Sequence, residues 1–202
     1  RDRPLGEGDS RQQDQGGRMT TTIQPAFEGV ERLPLPPRDA WTLAQAEAAK
    51  ELVAGPRGGV IGPFKPMMYS PDLMARVQKT GEYLRYNTGL DKRLTELAIL
   101  IVARHWGQPV EWNIHYPIAL QAGVTQADAD AIAADAMPQA LDAEQRMVYE
   151  FCRQVLTNKA VDDNCYAAVL AAFGAKGIVD LTSLCGYYSL LAMVMNVART
   201  PD

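Results

Sequence analysis

An all-α fold is what this sequence predicts, and three observations predict it. Apolar residues recur at helical spacing from residue 70 onward, with no period-2 alternation to suggest a strand. Helix start signals stand before these segments and glycines close several of them. Hydrophobic residues make up 47% of 202, enough for one well-buried domain.

Residues 1–24, "RDRPLGEGDSRQQDQGGRMTTTIQ", are polar and Gly-rich, so they read as a disordered tail ahead of a single helical domain, 25–202. Met19 is a candidate natural start. "LPLPPRDAW" is an extended lead-in, after which Asp39 is expected to cap a helix of about 40–53. Residues 55–71, with four glycines and four prolines, must be a loop. Its apolar members (Val60, Ile61, Phe64, Met67 and Met68) suggest that it packs over a pocket.

Ser70 with Pro71 opens the next helix, which Gly89 should close. "DKRLTELAILIVARHWG", 91–107, is apolar nearly all round and belongs at the centre of the fold. Pro109 opens a helix that ends at Gly123. Thr125 with Asp128, and Asp142 with Gln145, mark two further starts. Asp162 or Asp163 leads a helix to Gly174, and a last one covers about 176–198. The total is seven or eight helices.

Charge and composition exclude several function classes. With 20 basic against 24 acidic residues, the net charge of −4 offers nucleic acid no footprint. Three scattered cysteines, Cys152, Cys165 and Cys185, read as buried thiols in a reducing compartment. No signal-peptide h-region is visible, so a cytoplasmic protein is expected. "GIVDLTSLCGYYSLLAMVMNV", 177–197, has the length of a bilayer span, but Asp180 within it disfavours lipid. A core or subunit-interface helix is expected instead.

Chemistry concentrates where two helices meet. Glu96 is the only acid between Leu94 and Trp106, and a carboxylate on a buried helix must be paired or used. Arg104, at i+8, is one candidate partner. Glu111 and His115, at i and i+4, share a helix face. Glu111 falls in the first turn, where the helix dipole favours ionisation. Pro117 follows and removes the donor for the carbonyl of Asn113. This set reads either as an acid–base pair beside Glu96 or as a plain i, i+4 surface pair. Two carboxylates and a histidine also suit iron or manganese, but no HExxH or second ExxH supports a metal site. A nucleophile elbow and a phosphate-binding loop are absent.

"RLTELAILIVARHWGQPVEWNIHYPIALQAGVT", 93–125, resembles the central segment of the carboxymuconolactone decarboxylase-like family, which includes the alkylhydroperoxidase D branch. The resemblance implies an all-helical domain that assembles as homotrimers or hexamers. The peroxidase branch places CxxC between the glutamate and the histidine. Here Gln108 and Glu111 stand in the cysteine places, which disfavours peroxide reduction by a dithiol. The decarboxylase branch has an acid four residues before a histidine, as Glu111 and His115 have.

The expected function is therefore a cofactor-free lyase, decarboxylase or isomerase acting on a small cyclic or lactone-type carboxylic acid. His115 is the expected proton carrier, Glu111 its partner and Glu96 a third catalytic candidate. Arg104, Trp112, Phe64 and Met68 are the candidate substrate contacts. A peroxidase by fold alone, or a non-catalytic helical oligomer, are the alternatives.

Overall fold

A computed structural model describes residues 11–13 and 19–202, with side chains from Thr21 onward. Among these residues there are eight α-helices: α1 Leu43–Ala54, α2 Phe64–Met67, α3 Pro71–Tyr86, α4 Lys92–His105, α5 Pro109–Ala122, α6 Gln126–Ala133, α7 Ala143–Asn158 and α8 Asp163–Ala198. The one exception to the helical reading is a short antiparallel hairpin, β1 Arg11–Gln13 with β2 Met19–Thr21.

α4 is the axis of the molecule. Every residue from Leu94 to Ala103 is buried, and α5, α7 and α8 pack around it. Its ends follow from chemistry: Asp91 accepts from the Arg93 backbone at the start, and Gly107 (φ 55°) turns the chain after the end. Gln108 then caps α5 with its side chain, Pro109 takes the first position, and Gly123 closes the helix in left-handed backbone. Capping boxes at Thr42–Gln45 and Asp142–Gln145 start α1 and α7. α8 is one run broken at Gly174 (φ 67°, ψ 178°), the break expected there. It is long and apolar enough to cross a membrane by length and composition, and half of its most apolar stretch is buried inside the molecule.

Several sequence expectations need correction. Asp39 lies in a 3₁₀ turn, Arg38–Ala40, and Thr42 caps α1 instead, because its hydroxyl and Gln45 can satisfy each other's backbone donors. Ser70 makes no side-chain cap bond, and α3 ends at Asn87, with Gly89 in the following turn. The 55–71 loop contains α2, and its apolar side chains Phe64, Met67 and Met68 are buried, while Ile61 stays half exposed.

The tail reading fails at its C-terminal end. Ile23 is buried, and the Thr21 carbonyl accepts from the indole N–H of fully buried Trp112 at 2.7 Å. A buried indole requires an acceptor, and this segment supplies it. Residues 1–10 and 14–18 lie outside the described residues.

Candidate active site

Helices α4, α5 and α8 bring four polar groups together. His115, on α5, is 2% exposed; its Nδ1 lies 2.6 Å from Glu96 Oε2 on α4. This contact places the ring proton on Nδ1, which donates to the carboxylate, and leaves Nε2 as an acceptor. The Tyr188 hydroxyl on α8 donates to Nε2 at 3.3 Å, its ring edge-on to the imidazole. Glu111 Oε2 stands 3.5 Å from the same nitrogen.

Burial sets the protonation states. It lowers the His115 pKa, with the hydrogen bond donated to Glu96 opposing, so the neutral ring is the resting form. Burial also pushes Glu111 up to about 7, although Arg85 and Arg57 pull it down. The first-turn position was expected to keep Glu111 ionised. Here desolvation outweighs the helix dipole, which is worth at most about 2 kcal/mol. Tyr187 is raised to about 12 and Tyr188 well above its ordinary value, both chiefly by burial, so both phenols keep their protons.

The cavity beside these groups measures about 230 Å³. Arg57, Phe64, Arg85, Glu111, His115 and Tyr187 are among its lining residues, with Ile61, Ile114, Ile118 and Leu191 supplying apolar wall. A larger groove of about 980 Å³ along Leu35–Trp41 and α1 holds Arg38 and Lys50 but no carboxylate or imidazole. The carboxyl group and the imidazole line the smaller cavity.

Of the residues picked from sequence, Glu96, Glu111 and His115 converge, and Phe64 lines the cavity. The others do not. Arg104 faces the opposite side of α4, where its Nε donates to the Ala133 carbonyl at 2.7 Å. It is therefore not the partner of Glu96, which an i+8 separation of about 12 Å along the helix already makes difficult. Trp112 and Met68 are fully buried away from the cavity, Trp112 turned toward Thr21. The closest partner of His115 is Glu96, 19 residues away, and not its helix neighbour Glu111.

Reasoning from sequence missed Arg57, Arg85, Tyr187 and Tyr188. Arg85 Nη2 is the nearest cation to Glu96, at 4.0 Å. The "YY" pair in the apolar last helix and the arginine amid loop glycines were the available signals.

Glu96 and Glu111 approach different nitrogens of the ring, so the three side chains do not converge on one ion. Among the described residues no cluster of His, Cys, Asp or Glu is arranged to hold a metal. No cysteine lines the cavity. Cys152 and Cys185 are buried with their sulfurs 3.5 Å apart. Their mutual contact and burial hold the Cys152 thiol well above its ordinary pKa, which makes it a poor nucleophile.

Residues 71–151, which span α3 through most of α7, match the Carboxymuconolactone decarboxylase family. That segment of the chain is similar to the family. The fold agrees: the crystal structure of an alkylhydroperoxidase AhpD core, an uncharacterized peroxidase-related protein from Ralstonia eutropha JMP134, superposes with a TM-score of 0.69. At 17% identity, the match covers 87% of this chain and 94% of that one. Curated proteins provide no match. In this chain Gln108 is fully buried, caps α5 and donates to Asn196 at 2.9 Å. Its amide ties α5 to α8, a structural task in a place where the peroxidase branch carries a thiol.

Proposed function

We propose that this protein is an acid–base enzyme, a lyase/decarboxylase or isomerase acting on a small cyclic or lactone-type carboxylic acid without a cofactor. One observation carries the reading. A buried imidazole is held through Nδ1 by Glu96 at 2.6 Å, while Nε2 meets a second carboxyl group that titrates near neutrality beside a cavity. A proton carrier works best with a pKa near the working pH.

His115 and Glu111 share the moving proton, and Glu96 holds the ring in the tautomer that exposes Nε2. Loss of CO₂ or of an α-proton leaves an electron pair delocalised into a neighbouring carbonyl. Glu111, its carboxyl group raised to about 7 by burial, returns a proton to carbon through this pair. A double-bond shift needs a proton taken from one carbon and returned to another through the same delocalised electron pair. The apolar walls keep the dielectric low, which favours loss of charge from a substrate carboxylate. A dithiol peroxidase has less support, because Gln108 and Glu111 fill the cysteine places and the Cys152–Cys185 pair lies in the core.

Screening small lactones and unsaturated diacids for CO₂ release, and for deuterium uptake from D₂O, tests the reading. Turnover that disappears in a folded His115→Gln protein supports it; full turnover in that protein overturns it. A homotrimer or hexamer is expected from the family resemblance and from exposed apolar residues on α8 such as Val179 and Val197. Light scattering that reports a stable monomer at micromolar concentration counts against that assembly.

A further inference from the structure

We propose that Arg57 and Arg85 together anchor the carboxylate of an organic anion in the cavity and set the specificity of the site. The inference takes from the acid–base reading only where the reacting end of the substrate lies. Its binding test is independent of turnover.

Arg85 sits in the last turn of α3 with its side chain 16% exposed. Among the described residues it makes no hydrogen bond to protein. Its nearest carboxylate oxygen, Glu96 Oε1, is 4.0 Å away, and its Nε is buried without an acceptor. A guanidinium carries five N–H donors in a planar fork, and burying them unpaired is unfavourable. A planar carboxylate is the group that such a fork accepts two-fold.

Arg57 brings a second charge from the glycine-rich loop. Its Nη1 donates to the Gln78 carbonyl at 3.1 Å and its Nη2 to the Tyr187 hydroxyl at 3.3 Å, and its guanidinium lies 5.0 Å from the Phe64 ring centre. Every one of these partners is neutral, so the charge is positioned without being neutralised. The seat requires a glycine. A Cβ at Gly81, inside α3, would lie 2.0 Å from the Tyr187 hydroxyl and 2.5 Å from Arg57 Nη2. A mid-helix glycine destabilises α3, and here it clears the place that the tyrosine and the arginine occupy.

Both arginines act on Glu111 and His115 electrostatically and line the same cavity. The remaining wall of Ile61, Phe64, Ile114, Ile118 and Leu191 suits an apolar body of about one ring. The matching ligand is a small organic anion with the anchored carboxylate at one end and an apolar ring at the other, and a carboxylate lost as CO₂ is a second one, on the ring.

Benzoate and its neutral isostere benzamide, titrated into the full chain by calorimetry, test the anchor. Benzoate should bind saturably and benzamide about tenfold or more weaker, the loss expected for hydrogen bonds to a charged group. Arg57→Gln and Arg85→Gln should each weaken benzoate by a similar factor and leave benzamide unchanged. Gly81→Ala, which displaces Tyr187 and Arg57, should do the same with Arg85 intact. Circular dichroism establishes that each variant is folded; if Arg85→Gln is not, Arg57→Gln on the loop still decides.

Equal affinity for the two ligands, no saturable benzoate binding at millimolar concentration, or wild-type affinity in folded arginine variants overturns the proposal. Turnover of His115→Gln separates the two readings, since it tests the acid–base pair and not the arginines. If benzoate binding does not depend on the arginines while His115→Gln still abolishes turnover, only the anchor fails. If the anchor holds and His115→Gln keeps full turnover, only the acid–base reading fails.

Discussion

The two faces of α4 carry the same kinds of side chain in opposite circumstances. On one face Glu96 meets His115, Arg85 and, through the imidazole, Glu111, all buried or nearly so. On the other, Arg104 and His105 stand near Asp135, Tyr149 and Arg153 around a cavity of about 170 Å³. There Arg153 and Asp135 pair at 3.0 Å with side chains 43% and 62% exposed. Residue type therefore does not separate the faces. Burial does: water screens the Arg153–Asp135 pair to little net worth, whereas desolvation on the other face moves the pKa of a carboxyl group to about 7.

The largest effect expected from this contrast is on turnover. Replacing His115 by Gln should lower kcat by about 10² to 10⁴, the usual contribution of a positioned acid or base. Arg104→Gln on the opposite face should leave it nearly unchanged. Glu96→Gln should also lose turnover while keeping the helical signal, because the ring would lose the partner that holds its tautomer. Rate measurements on the acid found by screening decide. Equal losses from Arg104→Gln and His115→Gln would erase the distinction between the faces.

Next comes a pH-dependent stability change at Glu111. Its pKa rises from 4.5 unfolded to about 7 folded, so the folded state holds the extra proton between these values. The corresponding stability is fully present below pH 4.5 and is lost as pH rises through 7, about 3 kcal/mol in all as an upper bound. Urea unfolding of Glu111→Gln should therefore show a gain over wild type at pH 8 and little gain at pH 4.5. A constant difference at both pH values would mean that Glu111 is ionised throughout.

The thiols should matter less. Replacing Cys152, Cys165 and Cys185 together by Ala should preserve turnover and lower stability by about 1 kcal/mol per buried site. Loss of turnover from any one change in a folded protein would return redox chemistry to consideration. The smallest effect belongs to the exposed face: Arg153→Gln should shift stability by about 0.5 kcal/mol or less and lose even that in high salt. A larger shift, read from the thermal midpoint, would show that the 170 Å³ cavity contributes more than a screened ion pair.

The helical plan was legible because it is written locally. Pro109, Gly123, Thr125, Asp142 and Gly174 act on backbone groups within a turn of themselves, and each marks a boundary or a break where expected. The all-round apolar pattern of 94–103 likewise requires burial wherever the segment lies. The neighbourhood of Glu111 and His115 follows from a 3.6-residue turn. The hydrogen bond between Glu96 and His115 does not. It spans two helices, and their relative rotation is set by how α5, α7 and α8 pack on α4. The same packing buries Glu111 deeply enough to override the helix dipole, and brings Arg85 from α3, Tyr188 from α8 and Arg57 from a loop into one cavity. Sequence spacing determined which side chains share a helix face; only the tertiary structure decided which faces meet and how much water is left between them, and those two quantities set the chemistry.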